Sequence, residues 1–309
     1  MSPRAWTLFG IASFLWGIPY LFISIAVEDG IPPAFLAWFR VVLGALILLP
    51  IAWRAGLLGT LRDRWRWIVP YAVLEIVIPF PMIAAGEQHV SSSVTAILIA
   101  STPLLVALLA IRFDHSERVG GLRLVGLFTG LAGVVFLVGV DIAGNADELL
   151  GSAAIMVAVI GYAAGPMLLN RKLGDVDARA TMLATLATAG LLLTVPAFAD
   201  LPAAEALTGE EVASLVVLGV LCTAAAFVVF GMLVTSVGAG RALLITYVNP
   251  LVAIAAGVVV LGERPGPGAI AGLLLIFAGC YLATGGRVTA PFRRLPGSDG
   301  SLAGPDPEG

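Results

Sequence analysis

The 309-residue chain is 59% hydrophobic and only 12% charged, with a formal net charge of −3 and a mean hydropathy of +1.01. A soluble domain carries about 25% charged and about 45–50% apolar residues, so this excess cannot be hidden in one aqueous core and the class is a polytopic membrane protein. No nucleic-acid partner, cofactor or metal is expected. The two cysteines, Cys222 and Cys280, sit in apolar runs without C-x-x-C spacing and read as packing residues.

The opening "MSPRAWTLFGIASFLWG" sets an arginine before an apolar run, as a signal peptide does. The run is too long for an h-region and no small-residue cleavage site closes it, so it reads as a retained first span. Runs long enough to cross ~30 Å of hydrocarbon as helix then recur at about 5–27, 33–53, 67–88, 92–112, 120–140, 149–169, 179–199, 212–235, 241–261 and 267–284. They do not alternate with period two, which favours helices over strands. The predicted fold class is therefore all-α, with ten transmembrane helices. The tail from 287 to 309 has no apolar core and is expected to be disordered.

Positive charge sets the orientation. With a cytoplasmic N-terminus, 15 of the 17 basic residues fall inside, among them Arg4, Arg54, Arg64, Arg171, Lys172 and Arg179. Arg264 falls outside and Arg40 within a span. The opposite loops carry acids such as Glu28, Asp29, Asp141, Asp200 and Glu210. Both termini are thus expected in the cytoplasm, across a bacterial cytoplasmic membrane.

The second half of the chain repeats the first. Thr102-Pro103 aligns with Asn249-Pro250 at an offset of 147, and Glu117-Arg118 with Glu263-Arg264, Gly126 with Gly272 and Gly133 with Gly279 at 146. The predicted units are residues 1–144 (helices 1–5) and 145–286 (helices 6–10). Because five is odd, the second copy must be inverted in the bilayer, a transporter device in which exchange of conformations between halves opens the two sides in turn.

Several stretches carry a resemblance to a known family: "FLWGIPYLF", "FLAWFR", "STPLLVALLA" and, most specifically, "NPLVAIAAGVVVLGERP" followed by "GLLLIFAGCYL". Together they resemble the EamA family of the drug/metabolite transporter superfamily over about residues 8 to 284. The first copy departs from the pattern, reading "IRFDHSER" where the family usually has a leucine-glycine-glutamate-arginine turn. The resemblance implies a ten-helix carrier of small metabolites, commonly an exporter, with a central cavity lined by helices 1, 3, 4, 6, 8 and 9.

Prolines within spans give that cavity partial independent support. Pro19, Pro79, Pro103, Pro166 and Pro250 each free a backbone carbonyl and are expected to kink their helices where protein, water or solute satisfies it. Helical spacing groups the candidate lining residues as Ser13, Trp16, Tyr20 and Ser24 on helix 1, Glu75 on helix 3, and Thr95 and Thr102 on helix 4. Tyr162 with Asn170 follows on helix 6, Thr223 on helix 8, and Thr246, Tyr247 and Asn249 on helix 9. Such a mixture suits an amphipathic solute. The alternative for the hydroxyls is helix–helix bonding, and for Trp16 and Tyr20 core packing.

Two ionisable residues lie deep in spans. Arg40 and Glu75 are at depths one long side chain can bridge, so they read either as a buried ion pair or, for Glu75, as a proton-coupling carboxyl. Glu87-Gln88-His89 reads as an external gate or a solvated loop edge. Gly126, Gly130 and Gly133, with Ala269, Gly272 and Gly279, form small faces for packing within the chain or in a homodimer. "RDRWRW", 62–67, reads as an interfacial anchor. An intramembrane enzyme or a channel is the alternative function, but the sequence has no H-E-x-x-H, no Gly-x-Ser-x-Gly elbow, no P-loop and no filter repeat.

Overall fold

The computed structural model describes residues 1–54, 56, 64–113, 121–142, 144–203 and 207–283. The expectations for Arg62, Glu117, Arg118 and the tail 287–309 lie outside the described residues. Among those described, the chain is helical. Eight helices are long and apolar enough to cross a membrane: α1 (Pro3–Glu28), α2 (Pro33–Arg54), α3 (Trp65–Glu87), α4 (Ser92–Leu109), α5 (Leu124–Ile142), α6 (Ala146–Lys172), α7 (Ala178–Ala199) and α8 (Gly209–Val237). Two shorter apolar helices follow, α9 (Ile245–Val260) and α10 (Pro267–Ala283). The ninth begins four residues later than the apolar run, because the chain turns at Leu243–Leu244 after a short helix, Ala239–Ala242.

Polar residues at the ends start these helices. Ser91 accepts from Val94 N at 3.3 Å, and Asn145 from Asp147 N at 3.1 Å, the capping that satisfies otherwise orphaned donors. Asp147 and Glu148 open α6 while Arg171 and Lys172 close it, complementing its dipole. Two caps come from far away. Asp141, at the end of α5, accepts from Gly268 N (3.1 Å) and Ala269 N (2.6 Å) at the start of α10. Glu263, beyond α9, accepts from Ser92 N (2.8 Å), Ser93 N (3.1 Å) and the Ser93 hydroxyl at the start of α4.

The principal helix contacts are α5 with α10, α2 with α7, α3 with α6, α1 with α8 and α9, and α4 with α6 and α9; α7 also packs on α3, α8 on α2, and α2 on α3. Apolar side chains such as Leu191, Val195, Val259 and Leu274 point outward, where a bilayer would meet them. The small faces of α5 and α10 pack on each other. A Cβ at Gly133 would come within 2.8 Å of the Gly272 carbonyl, and one at Gly126 within 2.7 Å of the Gly279 carbonyl. These faces therefore pack within the chain, the first of the two uses the sequence left open.

The 62–67 stretch also has other business than headgroups. Arg64 pairs with Asp175 and donates to the Lys172 carbonyl (3.2 Å), and Lys172 Nζ lies 4.7 Å over the Trp67 ring. Of the aromatic pair, Trp65 is exposed and Trp67 half-buried.

Candidate functional site

The prolines act unequally. Helix α1 breaks at Ile18 before Pro19, and α4 at Ala100–Ser101 before Pro103, whereas α6 and α9 run through Pro166 and Pro250 without interruption. In α3, Pro79 has no N–H to continue the ladder, and the helix widens ahead of it into a π turn over Val73–Val77. Ile78 N–H reaches back five residues to the Val73 carbonyl (3.1 Å). The next carbonyl, that of Leu74, would have been served by residue 79. Gly161 of α6 backs onto it so closely that a Cβ there would strike the Leu74 carbonyl and come within 2.9 Å of Pro79 Cγ.

One turn along α6, Gly165 faces Glu75 Oε2 with equally little room. Gly161 and Gly165 thus form a seat for the π turn and the carboxylate it carries. Glu75 Oε2 is buried and has no hydrogen-bond partner.

A second π turn, Val220–Ala225, lies in α8 and carries Thr223. Thr223 Oγ1 donates to the Leu218 carbonyl five residues back (2.8 Å) and accepts from Arg40 Nε (3.3 Å). The Arg40 guanidinium lies 4.1 Å over the Phe80 ring, a favourable seat for a desolvated cation. It is 6% exposed, with Tyr20, Tyr162, Cys222 and Glu87 within electrostatic reach. No ion pair joins Arg40 and Glu75 among the described residues. The π turn directs Glu75 toward α6, while Arg40 is held by α8 and Phe80, so the expected pair gives way to two separately held groups. Tyr20, Arg40, Glu75, Tyr162 and Thr223 are the predicted site residues that the fold gathers into one region.

The others go elsewhere. Trp16 packs at a tilt against Phe230 (4.7 Å) and edge-on against Phe227 (5.5 Å) of α8, on the far side of the α1 break from Tyr20. Thr95, Thr102 and Thr246 donate to carbonyls of their own chain, those of Ser91 (3.2 Å), Ile99 (2.6 Å) and Leu243 (2.8 Å). Asn170 likewise donates to the Pro166 carbonyl (2.8 Å). Tyr247 meets Phe277 of α10 edge-on at 5.7 Å. With its amide nitrogen turned to the carbonyls, Asn249 donates to Ile245 O (2.8 Å) and to Ser13 O of α1 (3.2 Å). Beside it, Gly17 brings α1 against Val252, and a Cβ there would lie 3.0 Å from the Asn249 carbonyl. Asn249 therefore ties α9 to α1.

Sequence reasoning passed over Gly161, Gly165 and Phe80, although the Gly-x-x-x-Gly spacing on α6 was a usable signal. It also treated Glu87 as a surface or gate residue, whereas Glu87 is 4% exposed and only Gln88 and His89 face outward. Among the described residues no three His, Cys, Asp or Glu side chains group as a metal site would require. A groove of about 450 Å³ between α9 and α10, lined by Leu251, Val258, Ile270 and Leu274, is apolar and opens to the lipid-facing side. It is separate from the polar region.

Comparison with known proteins places this architecture. The chain matches the EamA-like transporter family over residues 4–139 and again over 149–285. It is similar to the uncharacterized transporter YoaV of Bacillus subtilis (strain 168), with 25% identity over 90% of this chain and 96% of that one. It is also similar to the uncharacterized inner membrane transporter YedA of Escherichia coli (strain K12), with 28% identity over 81% of this chain and 80% of that one. A solved structure, described as the crystal structure of a protein, shares the fold with a TM-score of 0.65 at 19% identity, covering 92% of this chain and 97% of that chain. The chain is a multi-pass membrane protein that belongs to the EamA-like transporter family.

Proposed function

We propose that the protein is a secondary transporter that exports a small amphipathic solute across a cytoplasmic membrane by alternating access. Its ten helices form two inverted five-helix units, residues 1–144 and 145–286, with both termini in the cytoplasm. The observation that carries this reading is the exchange symmetry of the helix contacts. Adding or subtracting five turns α1–α8 into α6–α3, α1–α9 into α6–α4, and α2–α8 into α7–α3, while α2–α7, α4–α9 and α5–α10 return themselves. The two π turns begin at Val73 and Val220, 147 positions apart, the offset that separates Pro103 from Pro250. Halves related in this way exchange conformations to open each side in turn. The name of the YedA relative supports an inner-membrane location.

The solute site is the region between α1, α2, α3, α6 and α8. The rings of Tyr20, Phe80 and Tyr162 pack apolar parts of the solute, and Arg40 and Thr223 orient polar ones. Glu75 is the proton-coupling group: its unpartnered Oε2 is satisfied by a proton or by the solute. The family and the transporter relatives speak against an enzyme. Purified protein in proteoliposomes, given a metabolite panel with and without a pH gradient, tests the reading. Movement of at least one solute is expected, and its proton dependence should vanish in Glu75→Gln. Failure of every solute to move in sealed vesicles overturns the transporter mechanism, and intact proton dependence in Glu75→Gln removes Glu75 from it.

A further inference from the structure

Both carboxylate oxygens of Glu87, at the end of α3, are buried and have no hydrogen-bond partner. The groups that face it are Tyr20 and Glu28 of α1, Arg40 of α2 and Glu263 beyond α9. From α6, packed along the other side, Gly151 and Ile155 approach the neighbouring Gly86, and no charged α6 residue is among the groups acting on Glu87. Arg40 is within electrostatic reach but makes no ion pair with it, and its Nε is engaged by Thr223. Two of the three nearby charges are negative. An ionised carboxylate without donors or a contacting cation is costly in such a place. Its oxygens touch no space that a water molecule enters, so nothing larger than a proton fits against them in this conformation.

Of these groups, Glu263 is the one that also holds the start of α4. It binds two backbone N–H groups and one hydroxyl at Ser92 and Ser93, five and six residues beyond Glu87, and so clasps the loop after α9 to the start of α4. We infer that Glu87 is a second proton-carrying carboxyl, sealed by the Glu263 clasp and opened to the outer aqueous side when that clasp releases α4. The inference rests on the proposed topology and adds a proton site to the one assigned to Glu75. In the sealed form the proton stays on Glu87. On release, water reaches the carboxyl, the proton leaves to the outer bath, and the carboxylate is solvated beside Glu28 and Glu263.

Infrared spectroscopy of the full chain in liposomes reads this directly, through the carbonyl stretch of protonated carboxyl groups. Glu87→Gln should remove about half of the band assigned to the two unpartnered carboxyls, and Glu75→Gln the remainder. Glu263→Ala should speed deuterium exchange of the Glu87 proton about tenfold, since one charge-assisted clasp is lost. An unchanged band in Glu87→Gln overturns the assignment, and unchanged exchange in Glu263→Ala overturns the clasp. Loss of the band in Glu87→Gln but not in Glu75→Gln leaves Glu87 standing and removes the Glu75 part of the proposed function. If Glu87→Gln does not fold, Glu87→Asp keeps a carboxyl and should shift the band; an unshifted band is equally fatal to the inference.

Discussion

The α5–α10 seam and the α3–α6 seam are both built on glycine, yet what each glycine meets is different. Along α5–α10 the close neighbours include main chain on both sides: a Cβ on Gly133 would meet the Gly272 carbonyl and Ile276 N, and one on Gly272 would lie 2.9 Å from the Gly133 carbonyl. Asp141 locks the end of this seam by capping α10. Along α3–α6, Gly86, Gly151 and Gly161 also meet backbone, but Gly165 meets the tip of a carboxylate that has no partner. Close backbone contact resists displacement because neither side can yield. A seam that ends on an unpartnered carboxyl holds a group ready to change partner. The first seam has the character of scaffold and the second of mechanism.

The largest effect expected of a single change is therefore on the scaffold. Gly133→Val places its Cβ 2.8 Å from the Gly272 carbonyl and 2.9 Å from Ile276 N. Overpacking against main chain costs about 1–3 kcal/mol or more, so this variant should lose most of its folded yield in detergent, read by thermal unfolding and size exclusion. Gly139→Ala, on the same helix but with open space around its Cβ, should match wild type. Equal behaviour of the two would remove the distinction between seam and surface.

Within the α3–α6 seam, two neighbouring glycines should separate stability from transport. Gly161→Ala drives a methyl into the Leu74 carbonyl and should lower the melting temperature clearly. Gly165→Ala meets only the end of the flexible Glu75 side chain, which can swing away. It should stay within about 1 kcal/mol of wild type while transport of whichever solute the panel identifies falls several-fold. Full transport in Gly165→Ala would mean that the position of Glu75 does not matter.

The contrast also marks what a sequence can disclose. Hydropathy located the ten apolar runs closely, since 33–53 and 179–199 became Pro33–Arg54 and Ala178–Ala199. Length and apolarity are properties of a segment by itself. The π turns are not: the one at Val73–Val77 stands next to Pro79, but the one at Val220–Ala225 has no local marker and depends on what α2 and α8 press together. Helical spacing put Trp16 and Tyr20 on one stripe, and the break at Ile18 sends them to different neighbours. The polarity of Thr95, Thr102 and Thr246 was legible, but their bonding to their own helices depends on rotamers that periodicity does not encode. Glu87 looked like a loop residue because the groups around it, Tyr20, Glu28, Arg40 and Glu263, come from other parts of the chain.

Asn249 offers a middle-sized test on neither glycine seam. Its amide holds Ser13 O on α1 as well as its own helix, so Asn249→Leu gives up about 1–2 kcal/mol. Membrane insertion and expression should remain near normal, and transport should be lost because α1 and α9 no longer move together. Retained transport at reduced thermal stability would make Asn249 a packing residue only.

The smallest effect belongs to Asp177, which caps α7 outside the membrane and touches neither seam. Its Oδ1 accepts from Arg179 N at 2.8 Å, and its Oδ2 pairs with Arg179 Nη2 at 2.9 Å. The hydrogen bond from the Arg179 guanidinium holds this carboxyl below its ordinary value of 3.8. A carboxyl lowered by folding contributes its stability above the unfolded value and loses it as the pH falls through the folded one. The pair is partly exposed and screened, so Asp177→Ala should cost only about 0.5–1 kcal/mol at neutral pH. The difference from wild type should shrink toward zero in acid, below the 3.8 that marks the unfolded carboxyl. Asp177→Asn retains a capping oxygen and should lose less. Transport should be untouched in both, and a transport defect there would show that motion depends on more of the scaffold than the α3–α6 seam.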